Sequence, residues 1–224
     1  MAKVVGVPGE WARVKGVVMG LWPLMAWIFM SGFALAVILM TGFVASGLFM
    51  LAMAAMLVVW CARQGLRKVE SFFKGAKGEE RIAAILEELP EDCWVFHDYQ
   101  AGADHIDHVV VSPGGIYSVE TKFWNGKVTV DDDCILVDGK LPTRSPVSQA
   151  QRERNELRSK FKGFGWYVDV LPVVVFASDT FEPGFAELDG VTVLNSSRLK
   201  KWLSERVPVL TEIELARLSK LMEE

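Results

Sequence analysis

The chain is 224 residues long and 51% hydrophobic, with 24 Lys plus Arg against 28 Asp plus Glu and a formal net charge of −4. Its three cysteines, Cys61, Cys93 and Cys134, have neither pairing nor metal-ligand spacing, which sets aside a disulfide framework and fits a reducing compartment. The acidic balance sets aside a general nucleic-acid binder that works through diffuse positive charge.

The hydrophobic excess is concentrated near the start, where no charged residue occurs between Lys15 and Arg63. One bilayer crossing takes about 20 apolar helical residues, so this run is long enough for two. We expect a two-helix transmembrane hairpin within 17–62, with helices over 17–37 and 41–61 and a turn near Met40-Thr41-Gly42. A signal peptide would have an apolar region of only about 7 to 15 residues. A soluble surface helix would need a polar face that the run lacks. Arg13 and Lys15 precede the hairpin, and Arg63, Arg67, Lys68, Lys74 and Lys77 follow it. The positive-inside rule then predicts an inner (cytoplasmic) membrane protein with both termini in the cytoplasm, residues 1–16 forming a short tail. Trp22, Trp27 and Trp60 are candidate interfacial anchors, Trp27 being the deepest.

Residues 63–77, RQGLRKVESFFKGAK, read as a basic juxtamembrane helix or linker suited to an anionic lipid surface. The remaining 78–224 is the size of one domain and carries 16 Lys plus Arg against 26 Asp plus Glu, a net charge of −10. A helix is expected from Gly78 to Pro90, with Glu79, Ile82, Leu86 and Leu89 on its inward stripe. Five β-like runs follow: WVFHDY, HIDHVVV, IYSVETKF, KVTV and CILVDG. A helix over about 148–162 is introduced by Pro146, and VDVLPVVVFAS is apolar enough for a central strand buried on both faces. A short strand VTVLN and helices near 197–206 and 211–222 complete an α/β pattern.

Chemistry gathers around VETKFWNG, residues 119–126. Strand side chains alternate, so Glu120 and Lys122 share a face. Pro113 and Gly114 suit the central positions of a type II turn; if they hold them, facing residues of the two flanking strands sum to 227 and Asp107 faces Glu120. Facing carboxylates repel unless a cation neutralises them, and hard oxygen ligands suit Mg²⁺ or Mn²⁺. Glu79, on the inward stripe, would add a third carboxylate, and Gln149 stands ready to orient Lys122 or hold a phosphate. Taken alone, an E-x-K on a strand is compatible with an exposed ion pair as much as with a catalytic site.

KGEERIAAIL, HIDHVVVSPGGIYSVETKFWNGKV and SPVSQAQRERNEL together resemble the nuclease-related domain, NERD, a branch of the PD-(D/E)xK nuclease superfamily. The resemblance covers about residues 75–178 and implies a restriction-endonuclease-like core, a mixed sheet flanked by helices. Carried residue by residue, it implies Glu79, Asp107, Glu120 and Lys122 as the catalytic set, Gln149 as an accessory, and Mg²⁺ as the usual ion. It also implies nucleic acid, DNA above RNA, as the partner. Thr121, Phe123-Trp124 and Ser145 depart from the commoner family pattern without touching these positions.

Neighbouring motifs read more simply. In DHIDH, 104–108, His108 points away from Asp107, which disfavours zinc, and it is expected to pack or bond against the neighbouring helix. Asp131-Asp132-Asp133 reads as a solvated turn. Trp166 and Tyr167 are offered for packing before base stacking. Arg144, Arg152, Arg154, Arg158, Lys160 and Lys162 surround the Gln149 helix, a local basic face on an acidic domain. The leading expectation is a membrane-anchored, metal-dependent nuclease. The alternatives are a catalytically inactive, membrane-tethered module that binds nucleic acid or protein, and a membrane-assembly protein whose hairpin forms an oligomer.

Overall fold

The computed structural model describes residues 1–102 and 105–223, with the backbone alone for 64–68; Asp104, Glu224 and the side chains of Arg67 and Lys68 lie outside the described residues. The chain divides into two units, Trp11–Lys74 on the one hand and Met1–Glu10 with Gly75–Glu224 on the other.

In the first unit, helix α1 (Glu10–Thr41) turns at Gly42 into helix α2 (Val44–Glu87). Gly42 takes the left-handed conformation, φ 69°, which a glycine adopts freely just past a helix end. Segments Glu10–Thr41 and Val44–Arg63 are both long and apolar enough to cross a membrane, and only 6% and 11% of their most apolar windows are buried. Glycines mark the close approaches of the pair. A Cβ on Gly16 would meet Phe72 Cβ at 3.3 Å, and one on Gly47 would overlap Ile38. Small residues at such crossings are what helix packing in lipid requires. The sequence predicts a separate helix beginning at Gly78, whereas α2 runs unbroken through the expected linker. No proline interrupts 63–77, and Gly75 and Gly78 cost an α-helix only about 1 kcal/mol each.

In the second unit, strands β1 (Lys3–Val5), β2 (Trp94–Gln100), β3 (His105–Ser112), β4 (Gly115–Lys122), β7 (Val170–Phe176), β8 (Phe185–Leu188) and β9 (Val191–Asn195) form a seven-stranded mixed sheet in the order β1-β2-β3-β4-β7-β9-β8. Helices α3 (Pro146–Gly163), α4 (Ser196–Ser204) and α5 (Glu212–Glu223) join the last turns of α2 in flanking it. Ile82 and Leu86 of α2 and Leu199 of α4 pack on Val95, Val110, Val119 and Val175. On the opposite face, Leu157 and Phe161 of α3 and Leu218 of α5 pack on Phe96, Val109 and Ile116. The VLPVVVF run is the strand β7, buried between β4 and β9 and parallel to both, as expected. Strands β5 (Val128–Asp131) and β6 (Cys134–Val137) form a separate hairpin, with Asp132 and Asp133 at positive φ in its turn.

Sequence reasoning leaves the first residues as a tail. They instead supply β1, which lies parallel to β2 with Lys3 opposite Trp94 and Val5 opposite Phe96. Two glycines allow the close fit. A Cβ on Gly6, φ 87°, would stand 2.3 Å from the His97 carbonyl oxygen, and one on Gly9, φ 69°, 2.9 Å from Ala76. The three residues Lys3-Val4-Val5 are too few for periodicity to distinguish a strand from a tail.

Candidate active site

The turn between β3 and β4 sets the register of the whole site. Ser112 pairs with Gly115 and His108 with Val119, so Pro113-Gly114 occupy the centre and the next step places Asp107 opposite Glu120. Positive φ falls at Gly115, φ 131°, and not at Gly114, so the turn is not type II although the register is the one that such a turn would give. Alternation then aims Asp107, Glu120 and Lys122 at α3, while Val119 and Thr121 face α2.

Asp107 Oδ2 accepts the Thr121 backbone N–H at 2.7 Å. Lys122 Nζ donates to Glu120 Oε1 and, at 2.9 Å, to Gln149 Oε1. Gln149 Nε2 donates in turn to Glu153 Oε1 at 2.9 Å. One helical turn separates Gln149 from Glu153, so α3 presents both to the same strand face. The helix start that aims them is set locally. Ser145 caps α3 by accepting the Ser148 N–H at 3.3 Å, and Pro146 fills a first-turn position where its missing N–H costs nothing.

Glu79 lies on the inward side of α2, as its stripe predicts, and is 9% exposed. Among the described residues the Lys122 ammonium donates to Glu120 and Gln149 and not to Glu79. Burial, then the charges of Asp98 and Glu120, push its carboxyl from 4.5 to about 7, while an N–H from Gly9 works the other way. Gly78 beside it is necessary for the approach of α2 to β4, because a Cβ there would stand 2.8 Å from Phe123 Cβ.

Two further carboxylates belong to the site and escape sequence reasoning. Glu153 is 1% exposed, and burial followed by the charges of Glu120 and Asp107 raises its pKa well above the usual range. Its only sequence signal is the four-residue spacing from Gln149. Asp98 stands in β2 between the pairs His97–His108 and Tyr99–Ile106, and its Oδ1 lies 3.1 Å from His105 Nδ1. Its backbone is at φ 52°, a region that Asp tolerates and most residues avoid, and it is the largest charge acting on Glu79. No period reveals a single turned residue inside a strand.

Glu120, Asp107 and Glu153 act on one ammonium, Lys122, and the electrostatics follow. Asp107 is held well above its ordinary pKa, first by burial and then by Glu120 and Glu79. Burial alone would lower Lys122, but Glu120, its hydrogen bond and Asp107 outweigh that and raise it, so the ammonium stays protonated. Glu120 Oε2 and Glu153 Oε2 are buried with no N–H or O–H aimed at them, and after burial the Glu120 charge is among the causes that hold the Glu153 carboxyl above its ordinary pKa. A proton or a cation must therefore enter this cluster. Among the described residues no three His, Cys, Asp or Glu side chains are drawn together as a ready metal cluster. The carboxylate oxygens of Asp107, Glu120 and Glu153, with Oε2 of Glu120 and of Glu153 unpartnered, are nevertheless of the hard kind that fits a divalent cation.

His108 faces away from Asp107, but its partner is a strand and not the neighbouring helix. Its Nδ1 meets His97 Nδ1 at 2.8 Å across β2 and β3, so one ring donates and the other accepts. Burial pushes His97 down to about 4 and His108 well below its ordinary value, leaving both rings neutral at physiological pH.

Residues 74–177 match the family model of NERD, the nuclease-related domain. No curated protein and no solved structure gives a significant match.

Proposed function

We propose, from a chain that carries a nuclease-related domain over residues 74–177, that it is a membrane-anchored, metal-dependent nuclease hydrolysing phosphodiester bonds of nucleic acid, DNA first. The observation that carries the reading is the row Asp107–Glu120–Lys122, two facing carboxylates, with Glu120 Oε2 buried and unpartnered, beside an ammonium held protonated. A purely structural ion pair would leave neither an orphaned oxygen nor a surplus of negative charge in the interior.

A bound Mg²⁺ or Mn²⁺, held by Asp107 and Glu120 with Glu79 adjacent, would supply Lewis-acid polarisation of a phosphoryl oxygen and a more acidic water. Lys122, with its proton retained, cannot take one from water. It acts by placing fixed positive charge where the phosphoryl group gains negative charge. Gln149 fixes that charge in place, its oxygen on Lys122 and its amide N–H on Glu153. The polar chain thus runs from the helix to the reacting position without a free rotor.

The anchor is read from the two apolar helices together with the strand pairing around them. Residues before and after the hairpin belong to one compact unit, so the two flanks share one side of any membrane between them. The basic residues on both flanks favour the cytoplasmic side, hence the inner membrane.

The test is cleavage of single- and double-stranded DNA, and of RNA, by the full chain in detergent with Mg²⁺ or Mn²⁺. We expect cutting that needs the ion and falls by at least about 10²-fold in Asp107→Ala and Lys122→Ala. Folded wild type that cuts no substrate and gains no thermal stability from either ion would transfer the reading to a non-catalytic, tethered binding module.

A further inference from the structure

We propose that the solvent face of α3 is a track for one strand of nucleic acid, ending in a base-stacking cleft at Tyr167. The proposal rests on the nuclease reading for its direction, because the track begins at Gln149.

Ser148, Arg152, Asn155, Ser159 and Lys162 succeed one another by four, three, four and three residues, and all five are exposed. That spacing puts them on one line along the helix. No acid stands on the line: Glu153 is buried at the site and Glu156 is half-buried off it. On a domain with a net charge of −10 this acid-free stripe spares a polyanion the repulsion of a carboxylate along its length. The line covers about 21 Å from Ser148 to Lys162, roughly six stacked nucleotides at about 3.4 Å each.

A cavity opens at each end of it. The first, about 560 Å³, is lined by Arg144, Ser145, Ser148, Gln149 and Arg152, so it shares Gln149 with the buried carboxylate row. The second, about 500 Å³, is lined by Arg158, Lys162, Trp166 and Tyr167 among others. The two aromatics there differ in kind. Trp166 packs on the apolar cluster beneath α3, whereas Tyr167 is 84% exposed, the most exposed aromatic side chain among the described residues. Asp169 lies 3.7 Å from Arg158 and offsets part of its charge, leaving Lys162 to face the cleft.

An exposed ring flanked by cations has no packing to explain it and suits a base above a phosphate. Base faces are open in a single strand and covered in a duplex, so a single strand is the occupant that this combination favours. An acidic protein would use the cations but not the ring.

Fluorescence anisotropy of a labelled 20-nucleotide oligothymidine with the full chain in detergent, in EDTA to prevent cutting, tests the track. We expect Tyr167→Ala to weaken binding about 5- to 100-fold, the stacking of one base at about 1.4 kcal/mol per tenfold, and Tyr167→Phe to bind as wild type. Lys162→Ala should lower the slope of log affinity against log salt by about 0.7, one phosphate contact of a single strand, which Tyr167→Ala leaves unchanged. Wild-type affinity in Tyr167→Ala, weakened binding in Tyr167→Phe, no binding by wild type, or equal competition by polyglutamate overturns the proposal. Cleavage assayed in parallel separates the two readings. Tyr167-dependent binding without cutting upholds the track and removes the nuclease. Cutting with Tyr167-independent binding does the reverse.

Discussion

Glu79 keeps its proton to about pH 7 because burial and the charges of Asp98 and Glu120 penalise its ionised form. An unfolded chain releases that proton near 4.5. Below about pH 4.5 both states hold it; between there and about 7 the folded state alone does, so raising the pH through this interval lowers folding stability. The loss is on the order of 1–3 kcal/mol. Thermal melts in EDTA should therefore show a melting temperature that falls across the interval in wild type and falls less in Glu79→Gln, which carries no titrating proton. Equal pH dependence in the two proteins would show that Glu79 does not feel the charges assigned to it. The same residue shows what was legible at this scale. Glu79 is legible through a period of 3.6, Glu120 and Lys122 through a period of two, Asp107 through the register that the Pro113-Gly114 turn sets, and Gln149 through its place at the start of a helix. Asp98 and Glu153 are not, because one depends on a local backbone turn and the other differs from a solvated helix glutamate only in what it faces.

At the scale of elements, two glycines in one helix separate propensity from packing. Gly75 and Gly78 both lie in α2, and a helix gains about 1 kcal/mol from alanine at an unobstructed position. A Cβ on Gly75 meets nothing within 4 Å, so Gly75→Ala should raise the melting temperature. A Cβ on Gly78 stands 2.8 Å from Phe123 Cβ and 3.5 Å from Thr121 Cγ2, and relieving it must push α2 off the end of β4. Gly78→Ala should cost about 1–3 kcal/mol net and displace Glu79 with it. Matching melting temperatures for the two variants would refute a tight approach at that point. The strands β2 to β7 were readable as short β-like apolar runs and the helices α3 to α5 from their helical spacing, and the β3–β4 register because a Pro-Gly turn fixes it. The continuity of α2 was not, since a basic stretch with helix-forming residues is equally consistent with a linker. Nor was β1, whose place is decided by contacts with residues about 90 positions later in the chain.

For the molecule as a whole, that strand matters out of proportion to its three residues. Lys3–Val5 precedes the apolar hairpin and bonds to β2, which follows it, so a single crossing between them is geometrically excluded and the hairpin crosses twice or not at all. A fragment beginning after the hairpin would lack this edge strand and the Gly9 N–H that Glu79 accepts, which is why the full chain is the species to assay. Cysteines report the side directly. Cys134 is exposed in the β5–β6 hairpin, while Cys93 is buried and its thiol is pushed up to about 12, first by burial and then by Asp92. In a Cys61→Ala background, a membrane-impermeant maleimide should label neither cysteine in intact cells, Cys134 after permeabilisation, and Cys93 only after denaturation. Labelling of Cys134 in intact cells would put the carboxylate cluster outside, away from cytoplasmic nucleic acid, and with it the substrate. Protection of Cys134 until the membrane is opened would place the α3 face where a nucleic-acid strand at the inner surface of the membrane can reach it.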